Sequence, residues 1–143
     1  MIYLDTGCLL KLYYPEPESA AVARLVAGEA IAFLGVHDLE LSNALELELF
    51  HKGAKPSQVR AVRGFVEDDL RAGVLHRPHV AWDDVLRDAK DLAIGHTRRL
   101  GCRSLDIVHC AAARALLVTA FISTDARQRR LARAIGLPCP SVA

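Results

Sequence analysis

"YLDTG", residues 3–7, is the stretch on which the reading of this chain turns. Tyr3 and Leu4 continue the apolar run begun by Ile2, and Asp5 follows without a spacer. A short apolar run that does not alternate with polar residues suits a strand covered on both faces. A carboxylate at its end then falls where open parallel sheets bind their ligands, outside the carboxyl ends of the strands. Asp5 therefore reads either as a turn residue or as the first ligand of a site.

The pattern recurs along the chain. "AIAFLGV" (30–36) reads as a second buried strand, "VLH" (74–76) as a short one and "TAFIS" (119–123) as another. Helical segments lie between them. "GCLLKLYY" (7–14) has helical character until Pro15 and Pro17 stop it, and Ser19 or Glu18 can begin "SAAVARLVAG" (19–28). "HDLELSNALELELFHKG" (37–53) predicts a helix closed by Gly53, and "KPSQVRAVRGFVEDDLRAG" (55–73) one opened by Pro56 and Ser57 and closed by Gly73. In "AWDDVLRDAKDLAIGHTRRLG" (81–101), Val85, Ala89 and Leu92 share one face. "RSLDIVHCAAARALL" (103–117) is apolar enough to be largely buried. "DARQRRLARAIG" (125–136) is a last helix, and "PCPSV" (138–142) a terminal edge segment. Strands alternating with helices predict an α/β protein, a three-layer α/β/α sandwich around a central, mostly parallel sheet. With 143 residues and no repeat, one domain over 1–143 is expected.

Composition narrows the function without naming it. Lys and Arg total 18 against 17 Asp and Glu, a formal charge of +1, which neither demands nor excludes a polyanion. The C-terminal third is more basic: from Arg98 onward its only acids are Asp106 and Asp125. Cys8, Cys102, Cys110 and Cys139 form no C-x-x-C and no zinc-like cluster. No signal-like segment opens the chain, and no apolar run approaches the ~18 residues of a membrane span. A cytoplasmic protein with no membrane partner is expected.

The acids are better placed than their number suggests. Asp5 closes the first strand and Asp125 the last. Glu40 falls in the first turn of the helix after the second strand. Asp106 falls in the first turn of the buried helix, two residues after Ser104, a plausible N-cap. Thr124 can cap the last helix. Glu46 and Glu48 compete with Glu40, although Glu40 shares a stripe with Ala44 and Leu47 that would turn it inward. Four carboxylates in one crevice repel unless a cation sits between them, and oxygen donors favour Mg2+ or Mn2+. An acid inside "SLDIVHCAAARALL" is costly to bury alone. His109, one turn beyond Asp106, reads better as a buried hydrogen-bonded histidine than as a ligand.

Four stretches carry a family resemblance: "YLDTGCLLKLYYPEPES" (3–19), "LELSNAL" (39–45), "RSLDIVHCAAARAL" (103–116) and "FISTDARQRRLARAIGL" (121–137). In order and approximate spacing they resemble PIN-domain ribonucleases, and more narrowly the VapC-type toxins of toxin–antitoxin pairs. The resemblance implies a metal site at Asp5, Glu40, Asp106 and Asp125, with Glu40 acting directly or through water. Thr6, Ser104 and Thr124 would support it. It also implies metal-dependent cleavage of RNA, a cognate antitoxin covering the site and a homodimer. Lys11 and Arg103 are candidates for meeting RNA phosphates. Tyr13, Tyr14 and Phe65 fit base stacking or an interface. Gly7 departs from the family, which usually places a small hydroxyl or amide residue there. An inactive PIN-fold binding or regulatory protein is the main alternative. A doubly wound phosphoryl-transfer enzyme is a weaker one, because "DTG" lacks the second acid many of those use.

Overall fold

The computed structural model describes all 143 residues, Met1–Ala143. Its elements run β1 (Ile2–Leu4), α1 (Thr6–Leu10), α2 (Ser19–Val26), β2 (Ile31–Ala32), α3 (Gly35–Phe50), α4 (Pro56–Ala72), β3 (Leu75–His76), α5 (Trp82–Leu100), α6 (Ser104–Ala115), β4 (Ala120–Ile122) and α7 (Ala126–Ala134). The strands pair in the order β3-β2-β1-β4. Every pairing is parallel, with Ile2 opposite both Ile31 and Ala120.

Successive strand residues serve opposite faces. Ile2, Leu4, Ile31, Phe33 and Ile122 pack with apolar residues of α1 to α4, including Leu9, Val22, Leu45 and Val62. Tyr3, Ala32, Leu34 and Phe121 pack on the other side with α5, α6 and α7, including Val85, Leu92, Ala111 and Leu131. Both faces of the sheet are therefore dry, which is why the strands read as continuous apolar runs. The result is a three-layer α/β/α sandwich. The strand order reverses beside β1: the chain steps out to β2 and β3, then returns to place β4 on the other side. The carboxyl ends of β1 and β4 consequently frame the crevice of a topological switch point.

Several local expectations are corrected. The second strand is only Ile31–Ala32, because α3 begins at Gly35, two residues before the expected start. The Leu34 N–H donates to His37 Nδ1 (3.0 Å), which turns the chain into the helix at once. That side chain fills the role usually taken by Glu or Gln in a capping box. The inward stripe of α3 is His37, Leu41 and Leu45. Leu47 is exposed, so the stripe expected through Glu40, Ala44 and Leu47 is not the buried one. Lys52, not Gly53, carries the left-handed backbone at the end of α3 (φ 58°), and Gly53 N–H bonds Glu48 C=O. "PCPSV" forms no strand; it offers β4 one bond, from Phe121 N–H to Pro138 C=O (2.7 Å). Helices α4 and α5 end as read, at Gly73 and Gly101, both left-handed.

Candidate active site

Asp5 ends β1 and caps α1. Its Oδ1 accepts the Cys8 N–H (2.7 Å), and its Oδ2 lies 2.6 Å from the Ser123 hydroxyl. The Asp5 N–H in turn bonds Ile122 C=O, tying the ends of β1 and β4 together. Ser123 is fully buried. Its single proton is shared between Asp5 and Gln128 Oε1 (2.8 Å), while its oxygen accepts the Asp125 N–H (3.0 Å). Gln128, also buried, donates through Nε2 to Asp106 C=O (3.2 Å). One hydroxyl and one amide thus join the segments carrying Asp5, Asp106 and Asp125.

Asp125 is itself the N-cap of α7, accepting Arg127 N–H (2.8 Å) and Gln128 N–H (2.9 Å) on Oδ1. The capping role expected of Thr124 therefore belongs to Asp125, and Thr124 is exposed beside it. Helix α6 begins with Arg103 at the cap position and no side-chain cap, so Ser104 is an exposed first-turn residue rather than the cap. Asp106 pairs with the exposed Arg103 (Nε to Oδ2, 3.0 Å), and Arg103 Nη2 lies 3.9 Å from Asp125 Oδ2. Lys11 pairs with Glu16 (2.9 Å) and is nearly buried.

Glu40 stands apart, in the half-buried flank of α3. Its Oε1 accepts from Thr6 Oγ1 (2.8 Å) and from His109 Nε2. His109 Nδ1 meets Tyr3 OH (2.7 Å). Nε2 thus faces Glu40 and Nδ1 faces the tyrosine hydroxyl, so both ring nitrogens of His109 are engaged. Burial pushes Glu40 up, but the His109 bond and charge and the Thr6 bond outweigh it, leaving Glu40 below the ordinary glutamate range. Tyr3 is raised well above its usual value, first by burial. Glu46 instead pairs with Arg63 (3.0 Å), which separates it from this cluster.

His37, fully buried, is the residue the sequence did not single out. Its Nε2–H bonds Leu4 C=O (2.8 Å), so it fixes the residue immediately before Asp5. Burial, with a smaller contribution from His109, pushes its imidazole down to about 3. Ser123 and Gln128 were equally invisible. Ser123 reads as the end of a strand, and Gln128 as one more polar residue in an arginine-rich helix.

The donors around the crevice suit a hard cation: they are carboxylate and hydroxyl oxygens. Cys8 lies near Asp5, but burial and then Asp5 push its thiol up to about 12, so it offers no thiolate. The acids are not drawn onto one point, however. No group of three or more His, Cys, Asp and Glu side chains is gathered tightly enough to hold a metal ion. Asp5 is occupied by Cys8 N–H and Ser123, Glu40 by Thr6 and His109, and the other two share Arg103.

Fold and site together define an α/β/α domain with acids set around the switch point of its parallel sheet. The model of the PIN domain matches residues 2–134, and the chain belongs to the PIN domain family. Among solved structures it is similar to the crystal structure of FitAcB from Neisseria gonorrhoeae, at 15% identity over 99% of this chain and 97% of that chain, with a TM-score of 0.66. That likeness is one of fold. No curated protein matches the chain. No helix is long and apolar enough to cross a membrane.

Proposed function

We propose that this chain is a Mg2+- or Mn2+-dependent endoribonuclease, a single nuclease domain over residues 1–143 and the toxin of a type II toxin–antitoxin pair. The observation that carries the reading is the bonding of Asp5, Asp106 and Asp125 into one frame through Ser123 and Gln128, at the crevice of a PIN-family sheet. Asp5, Asp106 and Asp125 would hold the cation, and Arg103 is the charge that balances two of them without it. When bound, a divalent ion neutralises phosphoryl oxygens and acidifies water. Glu40 keeps Oε1 on Thr6 and His109, which leaves Oε2 to accept a proton from a water and aim it. Arg103, exposed on the rim, can leave its carboxylates for a substrate phosphate. Exposed apolar residues on α3 (Leu39, Leu47 and Phe50) support burial against an antitoxin or a second subunit. A cytoplasmic location fits an RNA target.

The test is cleavage of single-stranded RNA with and without EDTA, alongside Asp5→Asn. Asparagine preserves the cap of α1, so loss of activity would report the carboxylate. Cleavage that survives both EDTA and the substitution would sink the reading. One observation favours a second reading, a PIN-fold binding protein without activity: the acids are not gathered at ligand distance. Calorimetry with Mn2+ separates the two, since a dead site binds the ion poorly.

A further inference from the structure

A groove of about 480 Å³ opens at Thr124, next to Asp125, and runs along α7. Arg129, Arg130 and Arg133 line it, with Ser141 of the terminal segment forming part of the opposite wall. That wall is anchored: Val142 packs into the apolar cluster on its side of the sheet, and Arg24 Nη2 bonds Ala143 O (3.4 Å). The groove contains one acid, Glu18, at the cap of α2.

The arginines of this groove differ from most others in the molecule. Arg63, Arg71, Arg77, Arg87, Arg103 and Arg114 each sit within 4.0 Å of a carboxylate. Arg129, Arg130 and Arg133 have no such partner. Two of them are aimed by backbone instead. Arg129 Nη1 donates to Ser123 C=O (3.0 Å), and Arg130 Nε donates to Ala126 C=O (3.3 Å). Ser123 is the residue whose hydroxyl meets Asp5, so one wall of the groove is bonded to the segment that holds the acid cluster together. The chain as a whole carries only +1, so this is a local concentration of charge and not general basicity.

We infer that the α7 groove is a phosphate-backbone subsite for single-stranded nucleic acid, guiding the strand toward the acids at Asp5 and Asp125. Guanidinium forks match phosphate oxygens, and three that line one groove offer contacts to successive phosphates of a strand. Ala126 and Val142 are the only apolar residues lining it, so it lacks the buried apolar and aromatic anchors on which protein partners depend. The inference rests on the nuclease reading for the strand's destination, yet binding can be measured without cleavage.

The experiment is fluorescence anisotropy of a labelled single-stranded oligoribonucleotide in EDTA, across a salt series. The proteins are the full chain and Arg130→Ala/Arg133→Ala. Both positions are on a helix surface and alanine favours helix, so folding is retained and is checked by circular dichroism. Each lost phosphate contact should flatten the slope of log K against log salt by roughly 0.7, about 1.4 for the pair. Arg60→Ala, on the exposed side of α4, should leave the slope unchanged. An unchanged slope in the double variant overturns the inference, as does oligoglutamate of equal charge binding as tightly as the oligonucleotide. EDTA-sensitive cleavage with an unaltered slope would refute the groove alone. A flattened slope in a protein that never cleaves would refute the nuclease reading alone.

Discussion

The two sides of the acid cluster are balanced by opposite means. Glu40 is satisfied from within, by hydrogen bonds from His109 and Thr6, with Tyr3 closing the chain of bonds beneath the sheet edge. Asp106 and Asp125 are balanced from outside, by Arg103, whose side chain is 75% exposed. A buried partner cannot leave without stranding polar groups, whereas an exposed one exchanges with water at little cost. The difference assigns the two sides different duties. The Glu40 side is a fixed fixture of the fold, and on the proposed function the Asp106–Asp125 side is where an incoming cation or phosphate would displace the resident charge.

The comparison breaks first at His109. His109→Ala leaves the Tyr3 hydroxyl without its partner inside a dry core and opens a cavity under Glu40. A loss of roughly 2–4 kcal/mol is expected from cavity and unpaired hydroxyl together. Urea unfolding measures it. Residual cleavage by the folded fraction should fall about 10–100-fold, the usual cost of removing a group that orients a ligand. A stability change no larger than that of Arg103→Ala would erase the distinction between the two sides.

Acid should weaken the fold as a whole through a buried histidine that itself stays neutral. His37 titrates near 6.5 when unfolded and about 3 when folded, because burial disfavours its charged form. Between those values the unfolded chain binds the extra proton. Stability is therefore full above about pH 6.5 and declines as pH falls toward 3, by at most about 1.4 kcal/mol per unit from this group. Glu40, held below its usual value, acts in the same direction at the lower end of that range. Urea midpoints from pH 7.5 to 4 check the slope, and His37 ring resonances should stay in their neutral position throughout. A flat profile would mean that His37 is not locked between Leu34 and Leu4.

How far the sequence was legible follows the same division. The strands, the helix ends at Gly73 and Gly101 and the switch-point position of Asp5 and Asp125 came from local signals: apolar runs, glycines and strand ends. The choice of Glu40 over Glu46 did not. It depends on Thr6 and His109, 34 and 69 residues away, and no periodicity encodes such a contact. His37 escaped for a related reason. A histidine three residues after an apolar cap carries no conventional helix-start signature, yet its bond to Leu34 N–H both shortens β2 and starts α3. Ser123 and Gln128 gain their roles only once β4 lies beside β1.

On the open side, Arg103→Ala should cost less than about 1 kcal/mol of stability, as for other exposed ion pairs. Its effect belongs to ligand binding. Removing the resident cation frees Asp106 and Asp125, so Mn2+ should bind more tightly, by roughly two- to fivefold for an exposed pair of this kind. Calorimetry of the variant against the parent reads it directly. Weaker Mn2+ binding would show that Arg103 organises the acids instead of occupying their place.

Gly7 is the smallest test and the most local. It lies in the first turn of α1, exposed, and a Cβ built there would stand 3.7 Å from Asp5 Oδ1, an ordinary contact. The backbone there does not require glycine. Gly7→Ser should therefore stabilise the chain by a few tenths of a kcal/mol, up to about 0.5, through the reduced freedom of the unfolded state. Its hydroxyl would add one oxygen on the Asp5 side of the cluster, where the proposed function places a cation. If that side is the open one, the serine variant binds Mn2+ somewhat more tightly than the parent while the His37 resonances stay unmoved. A shift of those resonances without any change in Mn2+ binding would instead couple Gly7 to the buried side, and the division between the two would fail at its nearest point.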